Sequence, residues 1–249
     1  MRKKIIAGNW KMNLTLAEAV AIAKGLVSAS QTSTHEVMIF PSALHLESVS
    51  GIAKGSKLIV GAQNAYQSGL TAMTGEISPV QLAELGITTV LVGHSERRQF
   101  LGETSEFDQA KISYFLKAGL RVVYCVGETW AEREKGNTFS VLEDQIRKGL
   151  KDITSDLFAN LVIAYEPVWA IGTGKVATPV EAEEAHAFIR KEIGNLFVGA
   201  SAISEKIQIL YGGSVKPDNI KDLLTKPNID GGLVGGASQK LESFLGLLK

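Results

Sequence analysis

The chain has 249 residues, 45% hydrophobic and 21% charged, with 26 basic and 26 acidic side chains and no net charge. A balanced charge gives no overall field for nucleic acid or an anionic membrane, so an anionic ligand has to be met by local groups. A single cysteine, Cys125, excludes an internal disulfide framework and CxxC metal or redox motifs.

Strand one is expected at Ile5-Ile6-Ala7, behind the basic start Met1-Arg2-Lys3-Lys4. This apolar run stops at Gly8-Asn9 and is too short for a signal-peptide core. No stretch reaches the length of a membrane span. The expectation is a cytoplasmic chain with neither nucleic acid nor membrane as partner. A helix over residues 15–28 follows, then Val37-Met38-Ile39-Phe40, a helix over 44–53, Leu58-Ile59-Val60, and a helix over 79–85. Next come Val90-Leu91-Val92, a helix over 105–118, the run from Val122 to Val126, and a helix over 140–150. Leu161-Val162-Ile163-Ala164, a helix over 179–196, Ile207-Gln208-Ile209-Leu210, a helix over 217–224, Leu233-Val234 and a helix over 238–248 complete the series.

The runs are apolar on both faces, as parallel strands covered on each side are. Ser78-Pro79, Thr178-Pro179 and Lys216-Pro217 suit helix starts, and Gly119 suits a helix stop. Eight strand–helix units in about 250 residues predict one domain, 1–249, folded as a closed parallel (β/α)8 barrel. A doubly wound open sheet fits less well, because no Gly-x-Gly-x-x-Gly follows the first strand. Cys125 falls inside a strand and reads as a small core residue.

Polar residues gather where the strands end: Asn9 and Lys11, Gln63-Asn64, Gly93-His94-Ser95-Glu96, Gly127-Glu128, Glu166, Gly212-Gly213-Ser214 and Gly235-Gly236. In a barrel these ends share one rim, where active sites are built. Lys11 alone is a solvated surface lysine; beside Asn9 at a strand end it is a candidate anion holder. His94 is the one histidine of four at a strand's C-terminal end, so no paired-histidine metal site is available. A carboxylate directly after Ile163-Ala164-Tyr165 is expected to be partly desolvated, which raises its basicity. The glycine pairs let backbone N–H groups approach a ligand. Gly235-Gly236 is also expected to lead into the last helix, whose N-terminus favours a dianion.

Five segments resemble the triosephosphate isomerase family, and the match runs along essentially the whole chain. They are Gly8-Asn9-Trp10-Lys11-Met12-Asn13, Gly93-His94-Ser95-Glu96-Arg97-Arg98, the stretch from Ala164 to Gly174, Tyr211-Gly212-Gly213-Ser214-Val215, and Leu233-Val234-Gly235-Gly236-Ala237-Ser238. The resemblance implies interconversion of dihydroxyacetone phosphate and D-glyceraldehyde 3-phosphate through an enediolate, in glycolysis and gluconeogenesis. It implies no metal and no organic cofactor. By carry-over, Glu166 moves the carbon-bound proton and His94, kept neutral by a helix N-terminus, polarises the carbonyl. That last feature belongs to the family itself rather than to this sequence's spacing. Lys11 and Asn9 would offset the enediolate charge. Asn9, Lys11, Gly172, Ser214, Gly235 and Gly236 would bind substrate and phosphate, with Glu96, Ser95 and Tyr211 in support.

The segment 167–177 would close over the site, with Tyr211 and Ser214 latching it near Gly174 and Ala177. The 64–78 loop would make a homodimer, although Thr71-Ala72-Met73 departs from the family's usual Gly-Ala-Phe or Gly-Ala-Tyr. Gly232 stands where a larger residue is usual. Another phosphate-binding barrel, such as a metal-dependent epimerase, would want a rim of metal ligands. A barrel kept as a scaffold would have lost Lys11, His94, Glu166 or Gly172.

Overall fold

In the computed structural model, residues 2–171, 177–196 and 201–249 are described. Eight parallel strands close in sequence order into a barrel. They are β1 Ile5–Asn9, β2 Glu36–Phe40, β3 Ile59–Ala62, β4 Thr89–Val92, β5 Arg121–Val126, β6 Leu161–Tyr165, β7 Gln208–Tyr211 and β8 Gly231–Val234. Closure runs through β1 and β8, where Ile5 pairs with Gly231 and Gly8 with Val234.

Period-two alternation divides each strand between two cores. Ile5 and Ala7, Val123 and Cys125, Val162 and Ala164, and Leu210 and Leu233 fill the barrel interior. Ile6, Val122, Tyr124, Val126, Ile163 and Tyr165 face the surrounding helices. Cys125 is fully buried in the interior core, as its sequence context predicts. Among the described residues the outer layer holds eleven α-helices. They are α1 Leu16–Thr32, α2 Leu46–Ala53, α3 Pro79–Glu84, α4 Ser95–Leu101, α5 Ser105–Lys117, α6 Trp130–Glu134, α7 Thr138–Gly149, α8 Pro179–Leu196, α9 Ser201–Lys206, α10 Ile220–Leu224 and α11 Leu241–Leu247.

The start signals act as expected at α3, where Ser78 and Gln81 form a reciprocal cap ahead of Pro79. Gly119 follows α5 in a left-handed conformation at φ 81°. Two expectations need correction, and one helix is added. No helix begins at Pro217: the Lys216 N–H donates to Asn219 Oδ1 at 2.9 Å, which makes a turn, and α10 starts only at Ile220. The last helix does not start at Ser238. A 3-10 turn, Gly236–Gln239, comes first and α11 follows at Leu241. The His94-Ser95-Glu96-Arg97-Arg98 run, read for its chemistry, also forms helix α4.

Gly232 has an ordinary backbone conformation. A methyl group there would meet Val234 at 3.4 Å and Ile220 at 3.5 Å, which is van der Waals contact without a clash. Gly232→Ala is therefore expected to stabilise the barrel by about 0.5–1 kcal/mol, chiefly by restricting the unfolded chain. That corresponds to roughly 1–4 °C in Tm for a chain of this size. A thermal melt with an unchanged or lower midpoint would contradict this account.

Candidate active site

Strand parity aims the mouth residues. Continuing the inward series of β6 (Val162, Ala164) places Glu166 over the barrel interior, and continuing that of β1 (Ile5, Ala7) does the same for Asn9. Gly212 and Gly235 extend the inward positions of β7 and β8 in the same way. The Glu166 N–H still bonds to the Val126 carbonyl at 2.7 Å, so the ladder holds its backbone one residue past the strand. Two glycines permit this crowding. A Cβ on Gly127 would fall on the Glu166 carbonyl, and one on Gly212 would lie 2.8 Å from Glu166 Cγ.

Glu166 is only 2% exposed and His94 6%. One carboxylate oxygen lies 3.0 Å from His94 Nε2, and the other accepts the Ser95 N–H at 2.9 Å. His94 caps α4: its Nδ1 accepts the Glu96 N–H at 3.2 Å. That bond leaves Nδ1 unprotonated and puts the proton on Nε2, facing Glu166. Burial raises the pKa of Glu166, but the charge and hydrogen bond of His94, the Ser95 N–H and Lys11 together hold it below the usual carboxylate value. The expectation of raised basicity is thus corrected for this geometry: desolvation acts as expected, and the partners outweigh it. For His94, burial acts downward, while Glu166 more than compensates and draws the imidazole above its ordinary value.

Lys11 sits on a turn at φ 53°, a left-handed conformation costing a non-glycine residue about 1 kcal/mol or more. Asn9 Oδ1 accepts the Lys11 N–H at 3.0 Å, and Gln63 donates to the Lys11 carbonyl at 2.8 Å. The Lys11 ammonium reaches Glu96 at 2.7 Å. Across the mouth, a Cβ on Gly235 would lie 3.6 Å from Lys11 Cε, and one on Gly236 would meet nothing within 4 Å. Gly236 opens a single 3-10 turn. Any anion there would therefore meet a few backbone N–H groups rather than the end of a long helix.

Asn9, Lys11, His94, Glu166, Ser214, Gly235 and Gly236 line one cleft of about 760 Å³. Ser95 enters through its backbone N–H. Tyr211 stands behind the cleft, its hydroxyl against the Ala177 backbone but without a hydrogen bond of full geometry. Gly172 and Gly174 lie outside the described residues. Lys216 and Lys240 also line the cleft and were not singled out by sequence; their signal is only their position beside the glycine-rich turns. Glu128 was noticed merely as a strand-end residue. It is fully buried and accepts the Trp169 indole N–H at 2.9 Å and the Tyr165 hydroxyl at 3.1 Å. Among the described residues, no three His, Cys, Asp or Glu side chains are grouped as metal ligands would be, and no helix is long and apolar enough to cross a membrane.

A closed parallel barrel with a carboxylate, an imidazole and an ammonium converging on a glycine-rimmed cleft belongs to the class of (β/α)8-barrel enzymes. A sequence profile of the triosephosphate isomerase family matches residues 4–249. The triosephosphate isomerase of Leptospira biflexa serovar Patoc is 87% identical over 249 residues, all of both chains. That of Leptospira interrogans serogroup Icterohaemorrhagiae serovar copenhageni is 64% identical over 253 aligned positions, covering 99% of this chain and 100% of its own. The triosephosphate isomerase of Endomicrobium trichonymphae is 50% identical over 250, covering 100% and 99%. The chain belongs to the triosephosphate isomerase family.

The Glu166–His94 contact makes the imidazole a reporter of the pair. With Glu166 in place, His94 is expected to titrate above the ordinary imidazole value, because the cation is stabilised more than burial penalises it. In Glu166→Gln that support is gone, and burial together with the Glu96 N–H on Nδ1 drives the pKa below the ordinary value. NMR titration of the His94 ring measures both; an unmoved pKa in the variant would refute the coupling.

Proposed function

We propose that this barrel interconverts dihydroxyacetone phosphate and D-glyceraldehyde 3-phosphate, serving glycolysis and gluconeogenesis, with Glu166 as the base. The observation that carries this reading is the convergence of Glu166, His94 and Lys11 on one cleft, opposite the open backbone of Gly235-Gly236. Full-length similarity to proteins named triosephosphate isomerase supports the substrate pair.

In the resting geometry Glu166 is bound to the Ser95 N–H and to His94. To reach a substrate carbon it has to leave both. Burial persists when it does, while the groups that lower its pKa are lost, so its basicity rises as it meets the substrate. Glu166 then takes a proton from one carbon and returns it to the neighbour. His94, relieved of the carboxylate and still accepting the Glu96 N–H, is held neutral, donates Nε2–H to the carbonyl oxygen and relays the hydroxyl proton from one substrate oxygen to the other, which leaves the imidazole neutral at the end. Lys11 and Asn9 face the developing enediolate charge and stabilise it. Ser214, Gly235, Gly236 and Gly172 hold the phosphate. Each step uses side chains and backbone of the chain itself, with no cofactor.

Glu166→Gln is expected to lower kcat by about 10²–10⁴-fold, the range for losing a positioned base, with the fold intact. The check is a coupled isomerase assay run with chelator present. Near-normal turnover in the variant would remove Glu166 from the role, and wild-type protein without isomerase activity would remove the function.

We further propose a cytoplasmic homodimer built on the 64–78 loop. No helix or strand forms between β3 and α3, and the loop exposes Leu70 and Met73. Its base is closed by the Tyr66 N–H to the Ile77 carbonyl at 2.9 Å and by the Ser78 hydroxyl to the Ser68 carbonyl at 3.1 Å. Met12 (95% exposed) and Leu101 line a neighbouring cavity of about 370 Å³ with Asn64, Gly75 and Arg97. Apolar exposure on this scale around a protruding loop marks a contact surface. Light scattering on protein purified from the soluble cell fraction is expected to return twice the chain mass; a fully active monomer would contradict the proposal.

A further inference from the structure

Beneath the turn that carries His94 lies a buried charge cluster that the chemistry above does not use. Asp108 of α5 is fully buried. Its Oδ2 lies 2.7 Å from Arg98 Nη2 of α4, yet neither carboxylate oxygen has a hydrogen bond of full geometry. The contact is thus an ion pair held by charge and packing. Arg98 is the hub. Its Nε donates to the Gly93 carbonyl at 2.8 Å, its Nη1 to the Ser105 hydroxyl at 3.1 Å, and its Nη2 to the Tyr124 hydroxyl at 3.1 Å. Gly93 has φ 72°, and the place of its missing Cβ is occupied: Asp108 Oδ2 would lie at 2.8 Å and Arg98 Nη2 at 2.9 Å.

The cluster continues toward Glu166. The Tyr124 hydroxyl donates to the Gln145 carbonyl at 2.8 Å, and Gln145 Oε1 accepts the N–H of Gly127 at 2.8 Å. Gly127 is the residue whose missing side chain makes room for the Glu166 backbone. Gly149 of α7 likewise leaves the space that the Tyr124 hydroxyl fills. One guanidinium therefore braces the turn that delivers His94 and Ser95 and, through Tyr124, the strand end beside Glu166.

We propose that Asp108 is a positioning residue for the isomerisation: by fixing Arg98 under the Gly93–His94 turn, it sets where the His94 imidazole and the Ser95 N–H stand relative to Glu166. This rests on the functional reading given above. Removing the Asp108 charge leaves the part-buried Arg98 guanidinium without its counter-charge, so the donor on the Gly93 carbonyl is held less firmly. Small displacements of reacting groups are costly in rate.

The groups that act on Asp108 electrostatically are Arg98 and Arg97 of α4, Glu103 of the α4–α5 connection, Lys111 of α5, and Tyr124 and Cys125 of β5. Burial pushes the Asp108 carboxyl up to about 6, against the pull of Arg98, with Glu103 adding to the rise. The sign separates function from stability. A carboxyl with a raised folded pKa binds its proton more readily in the fold than in the unfolded chain. This group therefore adds stability as pH falls from about 6 toward its ordinary value. Over the same window the ion pair that positions His94 is lost.

The test compares kcat, KM and Tm for wild type and Asp108→Asn between pH 5 and 8. Wild-type kcat is expected to fall below about pH 6 without a matching fall in Tm. The variant is expected to sit about tenfold lower in kcat at pH 7, to lack that limb, and to keep its KM, since the phosphate side of the rim is remote from α5. Tyr124→Phe, which cuts the Arg98–Gln145 link but spares Asp108, is expected to lower kcat a few-fold and retain the limb; it keeps the proposal testable if Asp108→Asn fails to fold. Wild-type kcat and an unchanged limb in a folded Asp108→Asn would overturn the proposal, as would a rise in KM with kcat intact, or a Tyr124→Phe variant with full kcat. Wild type lacking isomerase activity would instead overturn the functional reading itself.

Discussion

A carboxylate that is 2% exposed and still charged is the constraint around which the barrel mouth is arranged. Removing such a group from water costs several kcal/mol unless partners restore what hydration supplied. The partners of Glu166 are an imidazole N–H, the first backbone N–H of α4 and the nearby Lys11 ammonium. They come from different strands, so the charge is tolerable only once the barrel has closed and brought β1, β4 and β6 to one rim. Local compensation also explains how a chain of zero net charge can serve an anionic substrate. Lys11 supplies a positive charge at the rim itself, whatever the sum over the rest of the surface.

Much of this was legible before any coordinates. Eight short apolar runs flanked by amphipathic stretches led to the closed barrel, because parallel strands covered on both faces leave that pattern. Asn9, Lys11, His94 and Glu166 stood out because each directly follows such a run. Less legible were features that depend on what lies across space. The resting basicity of Glu166 was misjudged in sign: strand position gave its burial but not the Ser95 N–H and His94 that overcome it. Lys216-Pro217 looked like a helix start, yet Asn219 takes the Lys216 N–H with its side chain and makes a turn first. Asp108 gave no signal at all, since one acidic residue in an amphipathic helix reads as a solvated position.

Glycines near the site divide into two kinds. Gly127 and Gly212 are required by crowding, for a side chain at either would strike Glu166. Gly236 has open space where a side chain would be, so what it permits is the approach of something from outside. The first kind fixes the place of Glu166, and the second leaves backbone N–H groups accessible. A motif scan sees Gly212-Gly213 and Gly235-Gly236 as like pairs; only the neighbours tell them apart.

The last residue of β6 and the one after it face the two sides of the barrel wall. Tyr165 points outward and donates to Glu128, while Glu166 points inward to His94. Glu128 also accepts the Trp169 indole N–H, its carbonyl accepts the Val168 N–H, and the Arg133 guanidinium stacks over the Trp169 ring at 4.5 Å. The start of the 167–177 segment is thus held by a second buried carboxylate, whose partner Tyr165 adjoins Glu166. If Trp169 moved away, Glu128 would keep Tyr165 and Arg133 as partners, so its charge would not be stranded. The direct hydrogen-bonding partners of Glu166 are only His94 and the Ser95 N–H, with Lys11 acting through its charge. The two buried carboxylates are therefore held differently, Glu128 by Tyr165, Trp169 and Arg133 on the outer side of the wall and Glu166 by His94 and the Ser95 N–H at the mouth.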